Sequence, residues 1–201
     1  MQMENEYGNV QKEYGYDGAR YIAWAADLAN SLDTGVPWIM CQQENIDTVI
    51  STCNGFYCDN WIETFRKKHP DQPAFFTELW TGWFHHWKTP KPTRPASDLA
   101  FSTARFIARG GSYIGYYMWH GGTNFGRWGS DFKTASYDYD SPINEYGFPA
   151  YPKFDHLKRL HHILLEYSDV ILNNDATYSS LGSKQVITFF LNLINRKLMS
   201  I

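Results

Sequence analysis

Short apolar runs and stretches with apolar residues at every third or fourth position follow one another from the first residues to about Leu172. Recurrence at that spacing predicts one face of a helix, and a short apolar run bounded by turn residues predicts a buried strand. The first helix is expected at about Asp17 to Leu32, with Asp17 at a capping position and Ile22, Ala25, Ala26 and Ala29 on one side. Gly35 closes it, and Val36 to Cys41 has the length of a strand. Asp47 to Ser51 reads as a helical turn, Gly55-Phe56-Tyr57 as a brief strand, and Asn60 to Lys68 as a helix ended by Pro70. Pro73 to Phe84, P-A-F-F-T-E-L-W-T-G-W-F, opens as a buried strand. After a Lys/Pro-rich loop from Lys88 to Pro95, a helix over about Ala96 to Arg109 turns Leu99, Phe106 and Ile107 to one side and stops at Gly110-Gly111. A strand over about Ile114 to Trp119 follows. Beyond a long loop, Asp155 to Leu172 forms an amphipathic pattern with Leu157, Leu160 and Leu164 in line.

Counting the half-strand around Met3, the strands begin near Met3, Val36, Gly55, Ala74 and Ile114. They alternate with helices at spacings too short for antiparallel meanders, so the fold class is α/β with a parallel sheet or barrel and its site at the C-terminal strand ends. A closed TIM (β/α)8 barrel has eight strands in about 250 residues. The five strands therefore read as the fourth to the eighth of an incomplete barrel. The opening Met1-Gln2-Met3-Glu4-Asn5-Glu6 has no signal peptide before its acids and is expected to follow sequence that is missing.

With 201 residues and 43% hydrophobic content the chain is long enough to bury one core, as a domain or part of one. A net charge of -3 argues against nucleic acid, and Arg66-Lys67-Lys68 is a short patch where cations suit a helix's last turn. Val186 to Ile194 is too short and interrupted to span a bilayer, so membrane insertion is not expected. Eight Trp and fourteen Tyr suit a ligand with flat C–H faces, as sugars have, although a large core also absorbs aromatics.

Glu78 ends an apolar run directly before Trp80 and Trp83. A carboxylate is costly to bury alone, so this placement suggests the mouth of a pocket, against the plainer reading of a surface acid after a short core strand. If the strand order above holds, Glu6 ends the fourth strand and Glu78 the seventh, and the two meet across the barrel mouth. That pairing suits a retaining glycosidase, whose acid and nucleophile lie about 5 to 5.5 Å apart. Glu4 shares a strand side with Glu6 and reads as its buried partner. Tyr113, Tyr116 and Trp119 read as core. His85-His86 and His161-His162 lack a companion ligand at usable spacing, so no metal or cofactor is expected. No Lys-Ser/Thr follows Gly121-Gly122, which reads as a tight turn rather than a phosphate loop.

E-N-E-Y-G at Glu4 to Gly8, T-E-L-W-T-G-W at Thr77 to Trp83, Y-Y-M-W-H-G-G-T-N-F-G at Tyr116 to Gly126 and S-Y-D-Y-D-S-P-I-N-E-Y-G at Ser136 to Gly147 resemble glycoside hydrolase family 35. V-P-W-I-M-C and T-C-N-G-F-Y-C-D-N resemble the plant β-galactosidases within it. The likeness runs to about Gly182, so residues 1–182 are expected to be the C-terminal part of the catalytic barrel and 183–201 a divergent tail. The resemblance implies Glu6 as general acid/base, Asn5 at the sugar's 2-hydroxyl, Glu78 as nucleophile, and Tyr117, Tyr137 and Tyr139 lining the galactose pocket, with Trp80 where relatives carry another aromatic. An acid kept protonated by apolar or anionic surroundings and a nucleophile held ionised by donors would fit that division.

The implied function is retaining hydrolysis of terminal β-D-galactose from oligosaccharides or cell-wall polysaccharides, with a β-galactoside as partner and an apoplastic, cell-wall or vacuolar location. The alternative is a truncated relic without turnover that binds galactosides weakly. Cys41, Cys53 and Cys58 suit that setting, with one disulfide and one thiol, and Cys41 is expected to pair with Cys53 or Cys58. Five strands without closure leave open edges, and a marginal, aggregation-prone monomer is expected.

Overall fold

The computed structural model describes residues 1–43 and 45–174, and the strand backbones of 176–182, 185–191 and 198–199. Helix α1 (Gly15–Ser31) is followed by strands β1 (Ile39–Cys41) and β2 (Ile50–Gly55), helix α2 (Asp59–Lys68), strand β3 (Phe75–Trp80), helix α3 (Ala96–Ala108) and strand β4 (Tyr113–Tyr117). Helices α4 (Lys153–Glu166) and α5 (Ser168–Leu172) come next, and β5 (Ala176–Gly182), β6 (Gln185–Leu191) and β7 (Leu198–Met199) form a separate antiparallel sheet. Strands β1 to β4 lie side by side in chain order, every pair parallel. With α2 and α3 as crossovers, this is an arc of a (β/α) barrel, incomplete at four strands.

Each helix turns its apolar stripe inward. In α1 the buried residues are Gly18, Ile22, Ala25, Ala26 and Ala29, of which Ile22, Ala25 and Ala26 pack with Met40 and Val49. The larger core lies between the sheet and α2, α3 and α4, where Ile62, Phe65, Phe76, Leu79, Leu99, Phe106 and Leu157 meet. Asp59 in the first turn of α2 is buried and pairs with Arg105 of α3 at 2.5 Å, tying two crossovers together.

Several expectations change. The half-strand at Met3 is a single bridge, Gln2 to Ile39, with Met3 N–H donating to the Ile39 carbonyl. The chain then leaves the sheet, because Glu4 and Glu6 both adopt left-handed backbone, at φ 61° and 56°. Strand alternation therefore does not govern them, and Glu4, half-buried, accepts a hydrogen bond from the Tyr21 hydroxyl instead of partnering Glu6. Residues 50–51, expected in a helical turn, begin β2, which ends at Gly55. The helix expected from Asp155 to Leu172 is two helices that meet at Tyr167. Tyr113 is exposed, while Tyr116 and Trp119 pack against the core as expected.

The cysteine pairing is also corrected: Cys53 bonds Cys58, and Cys41 is free and buried. The register explains it. Cys41 lies opposite Thr52, so the next residue, Cys53, points to the other face of the sheet, toward Cys58 at the start of α2. The boundary expected at Gly182 falls beside residues 183 and 184, which lie outside the described residues, as do residues 192–197 of the tail.

Candidate active site

Strand β3 carries one residue more than its neighbours accommodate. Cys53 of β2 lies opposite Phe76 but Asn54 lies opposite Glu78, and on the other side Ile114 pairs with Phe76 while Tyr116 pairs with Leu79. Thr77 and Glu78 together thus face a single residue of β4, which is a β-bulge. Its effect on side chains is direct. Phe76 and Leu79, three positions apart, both reach the helical core, and Thr77 and Glu78 between them are left to the opposite side.

Glu78 is half-buried, and the Trp80 indole N–H donates to its Oε2 at 3.0 Å. Burial raises its carboxyl above the usual range; the Trp80 donor pulls it back and the negative charge of Glu6 adds to the rise. Glu6 accepts from Asn54 Nδ2 at 2.8 Å and from Asn9 Nδ2 at 3.3 Å. The donors are thus distributed unlike the sequence-based expectation, with two side-chain amides on Glu6 and one indole on Glu78. Asn5 is exposed beside it, its Oδ1 accepting from Gln2 Nε2 at 3.2 Å and from the Cys41 thiol at 3.1 Å. The same sulfur accepts the Glu6 backbone N–H at 3.3 Å.

An aromatic wall adjoins the carboxylates. Trp80 meets Phe56 edge-on and Trp83 at 5.0 Å; Tyr139 stacks on Tyr137 at 5.4 Å and meets Tyr117 edge-on at 5.2 Å. Tyr117 and Tyr137 join hydroxyl to hydroxyl at 3.2 Å. Burial raises the phenols of Tyr137 and Tyr139, and the charge of Glu78 adds to both, which places these rings in the field of that carboxylate. The structure therefore gathers Glu6, Glu78, Trp80, Tyr117, Tyr137 and Tyr139 at one end of the sheet, with Asn5 on the rim.

Loop residues from far along the chain hold this wall. Tyr139 and Asp140 lie at φ 59° and 52°, where non-glycine residues cost energy and need support. Asp140 Oδ2 accepts from the Arg94 backbone N–H at 2.7 Å and from Lys153 Nζ at 2.6 Å. The Arg94 guanidinium, itself buried, donates to the carbonyls of Trp80 and Phe56 and to Asp98. Close approach requires glycine at two motif positions: a Cβ on Gly82 would lie 2.0 Å from the Tyr139 carbonyl oxygen and one on Gly121 1.7 Å from that of Tyr137. Sequence reading missed Asn54, Thr77, Arg94, Asp140 and Lys153. The glycines of T-G-W and H-G-G were the available signal that a loop packs there.

An acid near the C-terminal end of a parallel strand, a second acid brought to it by a left-handed turn beside the sheet, and an adjoining aromatic wall fit the site of a barrel glycosidase. A model of glycosyl hydrolases family 35 matches residues 1–164, and the chain belongs to that family. It is 49% identical over 187 residues to probable beta-galactosidase 2 of Dictyostelium discoideum, covering 92% of this chain and 25% of the relative. It is 49% identical over 191 residues to beta-galactosidase 6 of Oryza sativa subsp. japonica, covering 94% and 22%. With beta-galactosidase 10 of Arabidopsis thaliana it shares 50% identity over 183 residues, 90% and 24% of the two chains. The chain thus spans about a quarter of the length of these relatives. The crystal structure of a beta-galactosidase from the psychrophilic Marinomonas ef1 is similar at a TM-score of 0.54 over 77% of this chain and 27% of that one; at 8% identity the likeness is one of fold.

Proposed function

We propose that the site serves retaining hydrolysis of terminal, non-reducing β-D-galactose from oligosaccharides or cell-wall polysaccharides. The observation that carries this reading is that Glu6, on a turn beside the sheet, and Glu78, near the end of β3, are coupled through charge and each held by side-chain donors. Glu78 attacks the anomeric carbon as the bond to the leaving oxygen breaks, and Glu6 gives that oxygen a proton. The galactosyl ester on Glu78 is then cleaved by water, from which Glu6 takes the proton. Asn5 binds the 2-hydroxyl, and Trp80, Tyr117, Tyr137 and Tyr139 stack on or bond the sugar. These roles follow from the motif positions, since the count of donors by itself does not separate acid from nucleophile.

The Cys53–Cys58 disulfide supports an oxidising setting, such as the apoplast, cell wall or vacuole. Among the described residues no helix is long and apolar enough to cross a membrane. A second reading, a galactoside-binding chain without turnover, draws on the sheet's four strands where a closed barrel has eight. Release of 4-nitrophenol from 4-nitrophenyl β-D-galactoside by the purified chain, abolished in Glu78→Gln, supports the enzyme. Binding of galactose without release supports the second reading.

A further inference from the structure

Glu6 is not placed by a strand: its backbone is left-handed and the sheet has already been left at Met3. Of the two side chains that bond its carboxylate, Asn9 belongs to the same local turn, three residues on. Among the described residues Asn54 is the side chain that reaches the Glu6 carboxylate from the sheet, whereas the Cys41 sulfur of β1 holds only the Glu6 backbone N–H. It is 4% exposed, stands in β2 opposite the bulge of β3, and has its backbone carbonyl bonded by Gln42 Nε2 at 2.9 Å. Its amide has two unlike ends, and each meets the matching group. Nδ2 donates to Glu6 Oε1 at 2.8 Å, and Oδ1 accepts from the Thr77 hydroxyl at 2.8 Å. A flipped amide would set an oxygen against the carboxylate, so the pairing fixes its orientation. Thr77 is in turn 2.7 Å from the Thr52 hydroxyl, and it directly precedes Glu78.

We propose that Asn54, oriented by Thr77, is the positioning residue that aims the Glu6 carboxyl at the leaving oxygen. The chain Thr52–Thr77–Asn54–Glu6 spans from the strand that bears one candidate acid to the turn that bears the other, so the same bulge that places Glu78 also places Glu6. Aim matters only where proton delivery matters. A sugar leaving as an alkoxide needs the proton in the transition state, whereas 2,4-dinitrophenolate leaves without it. This inference rests on the proposed glycosidase reading for its kinetic arm.

The test compares kcat/KM for a β-galactosyl disaccharide and for 2,4-dinitrophenyl β-D-galactoside in the full chain. Asn54→Ala is expected to lose about tenfold to hundredfold on the disaccharide, as for a hydrogen bond to a charged group, and less than about threefold on the aryl galactoside. Thr77→Val is expected to lose selectively in the same direction and Thr77→Ser to restore the wild-type ratio, and this pair decides the matter if Asn54→Ala does not fold. Equal losses on both substrates would overturn the proposal. If neither substrate is turned over, the glycosidase reading fails, and the side-chain amide resonances of Asn54 in 15N-labelled protein decide the inference separately. Glu6→Ala and Thr77→Val should each move them, and unmoved resonances would overturn it.

Discussion

Lys153 begins α4, yet its ammonium is buried and donates to the Thr81 carbonyl at 2.9 Å, to the Asp140 carbonyl and to Asp140 Oδ2 at 2.6 Å. Burial holds it below the usual lysine range while Asp140 opposes the drop. One side chain therefore pins the end of β3 and the left-handed Tyr139-Asp140 turn to the helical layer. In Lys153→Met the three acceptors lose their donor. Removing one partner of a buried pair costs about 3 to 5 kcal/mol. Asp140 keeps the Arg94 N–H and a side chain 25% exposed, so the lower end, about 3 kcal/mol, applies. At about 2 to 4 °C per kcal/mol for a chain of this size, the melting temperature should fall by roughly 6 to 12 °C. Near-ultraviolet circular dichroism follows the change, because Trp80, Trp83 and Tyr139 pack together above the pinned turn. The double variant Lys153→Met/Asp140→Asn should lose clearly less than the sum of the single losses, since no uncompensated charge remains. A fall below about 2 °C, or strict additivity, would refute this reasoning.

Three further outcomes are expected. Because the folded state raises the Glu78 carboxyl, the folded protein binds that proton more tightly than the unfolded chain, and stability from this group is present below the ordinary glutamate range and lost as pH rises through the raised value. Glu78→Gln should therefore gain stability relative to the parent between acid and neutral pH in urea melts; a constant difference would contradict it. Trp80→Phe keeps a ring against Phe56 and Trp83 but removes the donor to Glu78, so the acidic limb of kcat/KM should move to higher pH, and an unmoved limb would count against the hydrogen bond. In denaturant, thiol titration should find one reactive cysteine without reductant and three with it, the first mapping to Cys41; a first thiol at Cys53 or Cys58 would contradict the pairing.

Much of the helical layer was legible because burial there obeys one period: the expected face of α1, Ile22, Ala25, Ala26 and Ala29, is the buried one. Glu78 was legible as an acid at the end of an apolar run. Strand β2 was not, since I-S-T-C-N-G turns Thr52 and Asn54 toward a hydrogen-bonded interior and shows little hydrophobicity. The bulge in β3 was hidden for a related reason. Alternation would send Phe76 and Glu78 the same way, and only the pairing with β2 and β4 reveals the extra residue. Arg94 lies in the Lys/Pro-rich loop and Lys153 just before the helix expected from Asp155, where no local pattern marks a buried cation. Their burial follows from Asp140, which lies 46 and 13 residues away in sequence. The cysteine pairing was not legible because it depends on the register, which sets the face each sulfur takes.

The central claim is that Glu78 forms the bond to the sugar while Glu6 moves the proton. Incubating the chain with 2,4-dinitrophenyl 2-deoxy-2-fluoro-β-D-galactoside, which slows breakdown of the glycosyl ester, and mapping the label by peptide mass spectrometry addresses it directly. The account predicts a fluorogalactosyl adduct on the Glu78 carboxylate, present in the wild-type chain and lost in Glu78→Gln. A label on Glu6 or on another residue, or none under conditions where an unfluorinated galactoside is cleaved, would contradict it.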